Sequence, residues 1–209
     1  MKIAHHAATL GLFVATGAAS AATFDFTAYT NNSGNTSGIS TSATIAADAT
    51  TFSVTLENSS ALGFIGEFYM ETHAALAGVN ASSVSFDNGP GVQFKLKNGN
   101  WNGPGGTSWG TSFIEIINDG SAANGINSGE SLTMTFTHDG SFNISDLINA
   151  INADEIQFAV HYQAWTNGES EKLLNNSIAV VPLPPAAWAG LGLMATLAGI
   201  RGVRRIRRG

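Results

Sequence analysis

An all-β fold is what this 209-residue sequence predicts: a single antiparallel β-sandwich, jelly-roll-like, with one short helix. Apolar residues alternate with polar ones at period two in many short runs. Thr and β-branched or aromatic residues dominate those runs, and clusters of Gly, Asn, Asp and Ser separate them. A sandwich is expected over a closed barrel, and no fixed-period repeat points to a solenoid or propeller.

The strands follow in order. Thr23–Thr30 and Ala43–Ala47 open the series, and Phe52, Val54 and Leu56 then alternate with Ser53 and Thr55. Gly63–Thr72 and Val84–Asp87 come next. Val92, Phe94 and Leu96 alternate with Gln93, Lys95 and Lys97, and Ser112–Asn118 follows. The cleanest alternation sets Leu132, Met134 and Phe136 against Ser131, Thr133, Thr135 and Thr137. Ile156, Phe158 and Val160 alternate with Gln157, Ala159 and His161, and Ser177–Val181 closes the set. Turn residues gather at Asn31–Asn35, Asp87–Gly91, Asn98–Asn100 and Asp139–Ser141, where Asp139-Gly140 reads as a hairpin turn. One helix of at most two turns is expected, capped by Ser145 and running Asp146–Ile151, with Asp146 near its positive end.

Both ends read as export signals. Lys2, an apolar run from Ala7 to Ala18 and the small-residue string to Ala22 match a signal peptide over residues 1–22, cut after Ala21 or Ala22. At the other end, Leu183 to Ile200 is 18 residues without a charge, near the lower limit for crossing a bilayer. Arg201, Arg204, Arg205, Arg207 and Arg208 follow at once, a stop-transfer cluster that the positive-inside rule holds in the cytoplasm. Before the apolar run, Val181, Pro182, Leu183, Pro184 and Pro185 form an extended segment that three prolines keep out of helix and central strand.

This succession of proline motif, short apolar helix and arginine cluster resembles the PEP-CTERM class of sorting signals, in the variant written VPLPA-CTERM. Leu183 stands where the parent motif has Glu, as in the variant, and Pro185 stands where the variant usually has Ala. The resemblance covers residues 181–209. It implies recognition by an exosortase-type membrane enzyme and a host that makes exopolysaccharide. The stretch Gly129–Leu174 is also similar to the last third of many small β-sandwich proteins with such tails, which implies a fold and an address but no activity.

The domain between the signals, residues 23–180, is of ordinary size for one core. It holds all 15 acidic residues against Lys95, Lys97 and Lys172, so its net charge is 3 − 15 = −12. That sign sets nucleic acid aside as a partner. With no cysteine, thiol catalysis, thiolate metal sites and disulfides are excluded.

Candidate chemistry is sparse. His73, His138 and His161 fall in separate segments without metal-ligand spacing, and His161 is expected on an exposed strand face. Glu67 and Glu71 share a face if extended, a position from which two carboxylates could serve a glycosidase. Asp139–Asn143 carries oxygen ligands at alternate positions but lacks the rest of a calcium loop, so no cofactor is expected beyond weak calcium at a loop. Trp101, Trp109 and Trp165, set among Gly- and Asn-rich loops, are candidates for stacking on sugar rings or for covering the ends of the sandwich.

The expectation is therefore a non-enzymatic, exported protein of the cell surface or extracellular matrix. Its partners would be an exosortase-type enzyme, transiently the inner membrane, and exopolysaccharide. A carbohydrate-binding module and a secreted glycan hydrolase are the alternatives.

Overall fold

The computed structural model describes residues 20–97, 113–165 and 168–176. The strands are β1 (Ser20–Ala28), β2 (Thr41–Ala47), β3 (Thr51–Asn58), β4 (Phe64–Glu71), β5 (Val79–Asn88), β6 (Phe94–Leu96), β7 (Phe113–Asn118), β8 (Ser131–His138), β9 (Phe158–Gln163) and β10 (Glu171–Asn175). Helix α1 (Ile144–Asn152) lies between β8 and β9, and short 3-10 turns span Ala74–Leu76 and Ala122–Asn124. The chain is thus mostly antiparallel β-sheet with one α-helix among the described residues.

All ten strands belong to one sheet, in the order β5-β8-β3-β2-β1-β10-β9-β4-β7-β6, and every pairing is antiparallel. β1 makes the fold continuous. Its residues Ser20–Asp25 pair with β2, while Phe26–Ala28 pair with β10. The expected sandwich is therefore joined along one side, and its two edge strands, β5 and β6, are consecutive in the chain and linked by residues 89–93. The architecture lies between a sandwich and a closed barrel. A strand that changes partners midway leaves no exposed edge on that side.

The period-two pattern explains which way each strand faces. Phe24, Ile45, Val54 and Met134 from one half meet Phe68, Met70, Ile116 and Val160 from the other in one core, all at most 2% exposed. Phe24 joins the halves directly, its ring centroid 5.4 Å from that of Phe158. Helix α1 buries Ile144, Leu147, Ala150 and Ile151, one stripe at helical spacing.

Three local expectations are corrected. The last described strand is Glu171–Asn175, a stretch that the sequence pattern assigns to no strand, while Ser177–Val181 lies outside the described residues. Glu, Lys and Leu favour helices, but pairing on both sides with β1 and β9 overrides that preference. Asp139–Asn143 connects β8 to α1 and is not a hairpin turn. Helix α1 starts two residues earlier than expected, capped by the Asn143 side chain, which accepts from Ser145 N at 3.0 Å.

Candidate functional site

The two outer faces of the sheet differ in chemistry. Over β1, β2, β3 and β8 the outward residues form a hydroxyl row, Thr23, Thr44, Thr55 and Thr133, aligned by the strand register. Thr23 and Thr44, and Thr55 and Thr133, each hydrogen-bond at 2.9 Å, which locks their rotamers. Over β10, β9, β4, β7 and β6 the outward residues include Lys172, His161, Glu67, Tyr69, Glu115, Lys95 and Lys97. All three lysines of the domain stand on this one face.

The centre of that face is a connected polar cluster. The register sets Glu67 opposite His161 and Tyr69 opposite Glu115. His161 Nδ1 lies 2.9 Å from Glu67 Oε2 and donates to it, and the Tyr69 hydroxyl donates to the same oxygen. Lys97 Nζ donates to Glu115 Oε1 at 2.8 Å. Burial alone would raise the Glu67 carboxyl, but the hydrogen bonds from His161 and Tyr69, with the nearby positive charge of Lys97, hold it below its ordinary value. The Tyr69 hydroxyl is pushed far up by burial, by its bond to Glu67 and by the charges of Glu67 and Glu115. Tyr69 therefore stays a neutral donor at any ordinary pH.

A bulge in β4 between Ile65 and Glu67 shapes the space beside this cluster. A Cβ at Gly66 would come within 2.7 Å of Gln163 Nε2, so the bulge admits only glycine without displacing that amide. Next to it opens a groove of about 370 Å³, lined by Phe64, Glu67, Lys95, Ile117, Asn118 and Gln163. A second hollow of about 440 Å³ lies between α1 and the first 3-10 turn, with His73, Asp146, Asn149 and Glu155 around an alanine floor.

The residues singled out from sequence are not gathered in one place. His161 is only partly exposed, because it pairs with Glu67. His73 Nδ1 accepts from Ala75 N at 3.1 Å and caps a 3-10 turn, while His138 bridges to the Asp48 carbonyl at 3.2 Å. Among the described residues no three His, Cys, Asp or Glu side chains converge on a metal position. Glu67 and Glu71 share the outer face of β4, with a backbone separation of roughly 13 Å at about 3.3 Å per residue. Glu115 stands opposite Tyr69, on the diagonal from Glu67 in the register. Asp139 Oδ1 accepts from Ser141 N at 2.9 Å and Ser141 Oγ at 2.6 Å, so the loop read for calcium is closed by its own hydrogen bonds.

Trp165 is a correction. It is 6% exposed, edge-on to Tyr162 with centroids 5.8 Å apart, and its indole N–H donates to the Asn35 carbonyl at 2.7 Å. It covers an end of the core and presents no free face to a sugar. Trp101 and Trp109 lie outside the described residues, as do Val181, Pro182, Leu183, Pro184, Pro185 and the five tail arginines.

Sequence reasoning missed Glu171 and Tyr29. Glu171 is fully buried and accepts from Thr30 Oγ1 at 2.7 Å, Ser33 N at 2.7 Å and Asn32 N at 3.1 Å. Tyr29, just past β1, is 55% exposed. The clue to both was the strand Glu171–Asn175, because its pairing with β1 positions each of them.

Comparison with known proteins finds no matching family model, and no match among curated proteins or solved structures. No helix among the described residues is long and apolar enough to cross a membrane.

Proposed function

We propose that this chain is a non-enzymatic, exported protein of the cell surface or extracellular matrix, delivered through an exosortase-type C-terminal signal and associated with exopolysaccharide. The observation that carries the reading is the tail itself: Val181–Pro185, then 15 uncharged residues from Ala186 to Ile200, then the arginine cluster from Arg201 to Arg208. Each part has its own task. The prolines keep the cleavage segment extended, the apolar run halts in the bilayer, and the arginines stay in the cytoplasm. In this reading the half-sheets form a sandwich-type module between two export segments, residues 1–22 and 181–209.

The fold is compatible with such processing. Strand β10 ends at Asn175, so a cut at Pro182–Pro185 leaves every described strand in the released product. At the other end, cleavage after Ala21 removes the first two residues of β1, Ser20 and Ala21, and retains its buried Ala22, Phe24 and Phe26. Cleavage after Ala22 would remove one methyl from that face.

The test is the intact mass of the protein isolated from its native host, from medium and from membranes. A product beginning at Ala22 and ending between Pro182 and Pro185 is expected outside the cell. A chain that keeps Arg208 and Gly209 and occurs only in the membrane fraction would overturn the sorting reading.

A further inference from the structure

We infer that the outer face of the β10-β9-β4-β7-β6 half is a platform for a neutral glycan chain, bound across the strands from Tyr29 to the groove beside Glu67. The inference rests on the glycan association proposed above and names where that contact is made and with what class of sugar polymer.

The strand register aligns the participants in a single row. Tyr29 N donates to the Lys172 carbonyl at 2.7 Å, Lys172 stands opposite His161, His161 opposite Glu67, Glu67 opposite Ile117, and Ile117 opposite Lys95. Adjacent strands are about 4.8 Å apart, so this row of six runs roughly 24 Å, room for several linked sugar rings. Tyr29 supplies an exposed aromatic ring for the apolar C–H face of a sugar. Lys172 has no partner for its ammonium group, and Glu67 Oε1 none, among the described residues, so a donor and an acceptor remain for hydroxyls. The Gln163 and Asn118 side chains line the groove at the far end with Ile117. His161 and Tyr69 keep Glu67 ionised and fixed, which limits the entropy lost on binding.

Charge decides between neutral and anionic polymers. Lys95 is neutralised by Asp119 at 2.5 Å and Lys97 by Glu115, and Glu67 contributes a further negative charge. With a domain net charge of −12, a polyuronate would be repelled. The opposite outer face has its Thr hydroxyls bonded to one another and no lysine, and serves as an internal control.

The test is affinity electrophoresis of the full-length protein in non-ionic detergent, through gels containing dextran, xylan or polygalacturonate. Retardation by dextran or xylan and none by polygalacturonate is expected. Tyr29→Ala and Lys172→Ala should each weaken it about fivefold or more. Tyr29→Phe, which keeps the ring, should bind normally, and Thr135→Ala on the opposite face should change nothing. Thermal unfolding of each variant separates lost binding from lost fold, with Lys172→Gln as the milder substitution. Failure of both neutral polymers, stronger retardation by polygalacturonate, or equal loss in Thr135→Ala would overturn the inference. A correctly processed chain that fails this assay leaves the sorting reading intact, since terminal masses test that reading separately.

Discussion

Glu171 shows how a single acidic residue can hold two segments together. Its carboxylate lies at the start of β10 and collects donors 138 to 141 residues away in sequence, from Thr30, Asn32 and Ser33. Burial alone would raise the carboxyl, but those hydrogen bonds hold it below its ordinary value of 4.5. A depressed carboxylate stabilises the fold above its unfolded-state value, and that contribution is lost as pH falls through the lower folded value. Thermal stability should therefore fall as pH drops below about 4.5, and less steeply in Glu171→Gln. Removing the acceptor altogether leaves the partly buried donors of Thr30, Asn32 and Ser33 without it, so Glu171→Ala should cost about 1–3 kcal/mol in urea denaturation. Trp165→Ala, which opens a cavity over Tyr162, should cost about 3–5 kcal/mol. Trp165→Phe loses mainly the bond to Asn35 and should cost about 1 kcal/mol. Neither environment was legible in the sequence, because both depend on partners brought from the distant loop 29–40. The Thr, Asn and Gly that follow Trp165 leave both a stacking and a covering role open, and only the fold selects the second.

At the scale of elements, alternation identified the strands well where one face is buried and the other wet. Leu132, Met134 and Phe136 are fully buried, as their pattern demands. It failed at β10, where only Leu173 of the two leucines faces the core. A five-residue strand between two neighbours needs little propensity of its own. Proline at Leu173 should accordingly abolish folding, because β10 pairs on both sides and has no spare donor. A circular dichroism spectrum without the native sheet signal would be the readout. The helix cap offers a finer comparison. Asn143→Ala should cost about 1 kcal/mol, whereas Ser145→Ala should be nearly neutral, since Asn143 supplies the acceptor. Sequence pointed to Ser145 because the helix was expected to begin at Asp146. The first turn instead starts at Ile144, which buries its side chain against the core. The β2–β3 connection has its own anchor. Asp48, held to about 2 by hydrogen bonds from Thr50 and Thr51, keeps that turn closed well into acid.

At the scale of the whole molecule, the ten strands share one core and one continuous ladder, turned at β1 from one half into the other. Loss of either terminal strand segment should therefore be felt throughout. A chain ending at Gly168 should not fold, while one ending at Val181 should unfold at the same temperature as the full-length protein, which calorimetry would check. By itself the sequence determined the all-β class, the one α-helix among the described residues and the acidic balance of residues 23–180. Composition, period-two alternation and hydrophobic length are local properties, and local properties are written residue by residue. Only the tertiary structure decided that the sheet is continuous, that Trp165 is buried, that Glu67 pairs with His161, and that Lys95, Lys97 and Lys172 share a face. Those facts follow from strand register across the sheet, which couples residues far apart in the chain and leaves no mark on their neighbours in sequence.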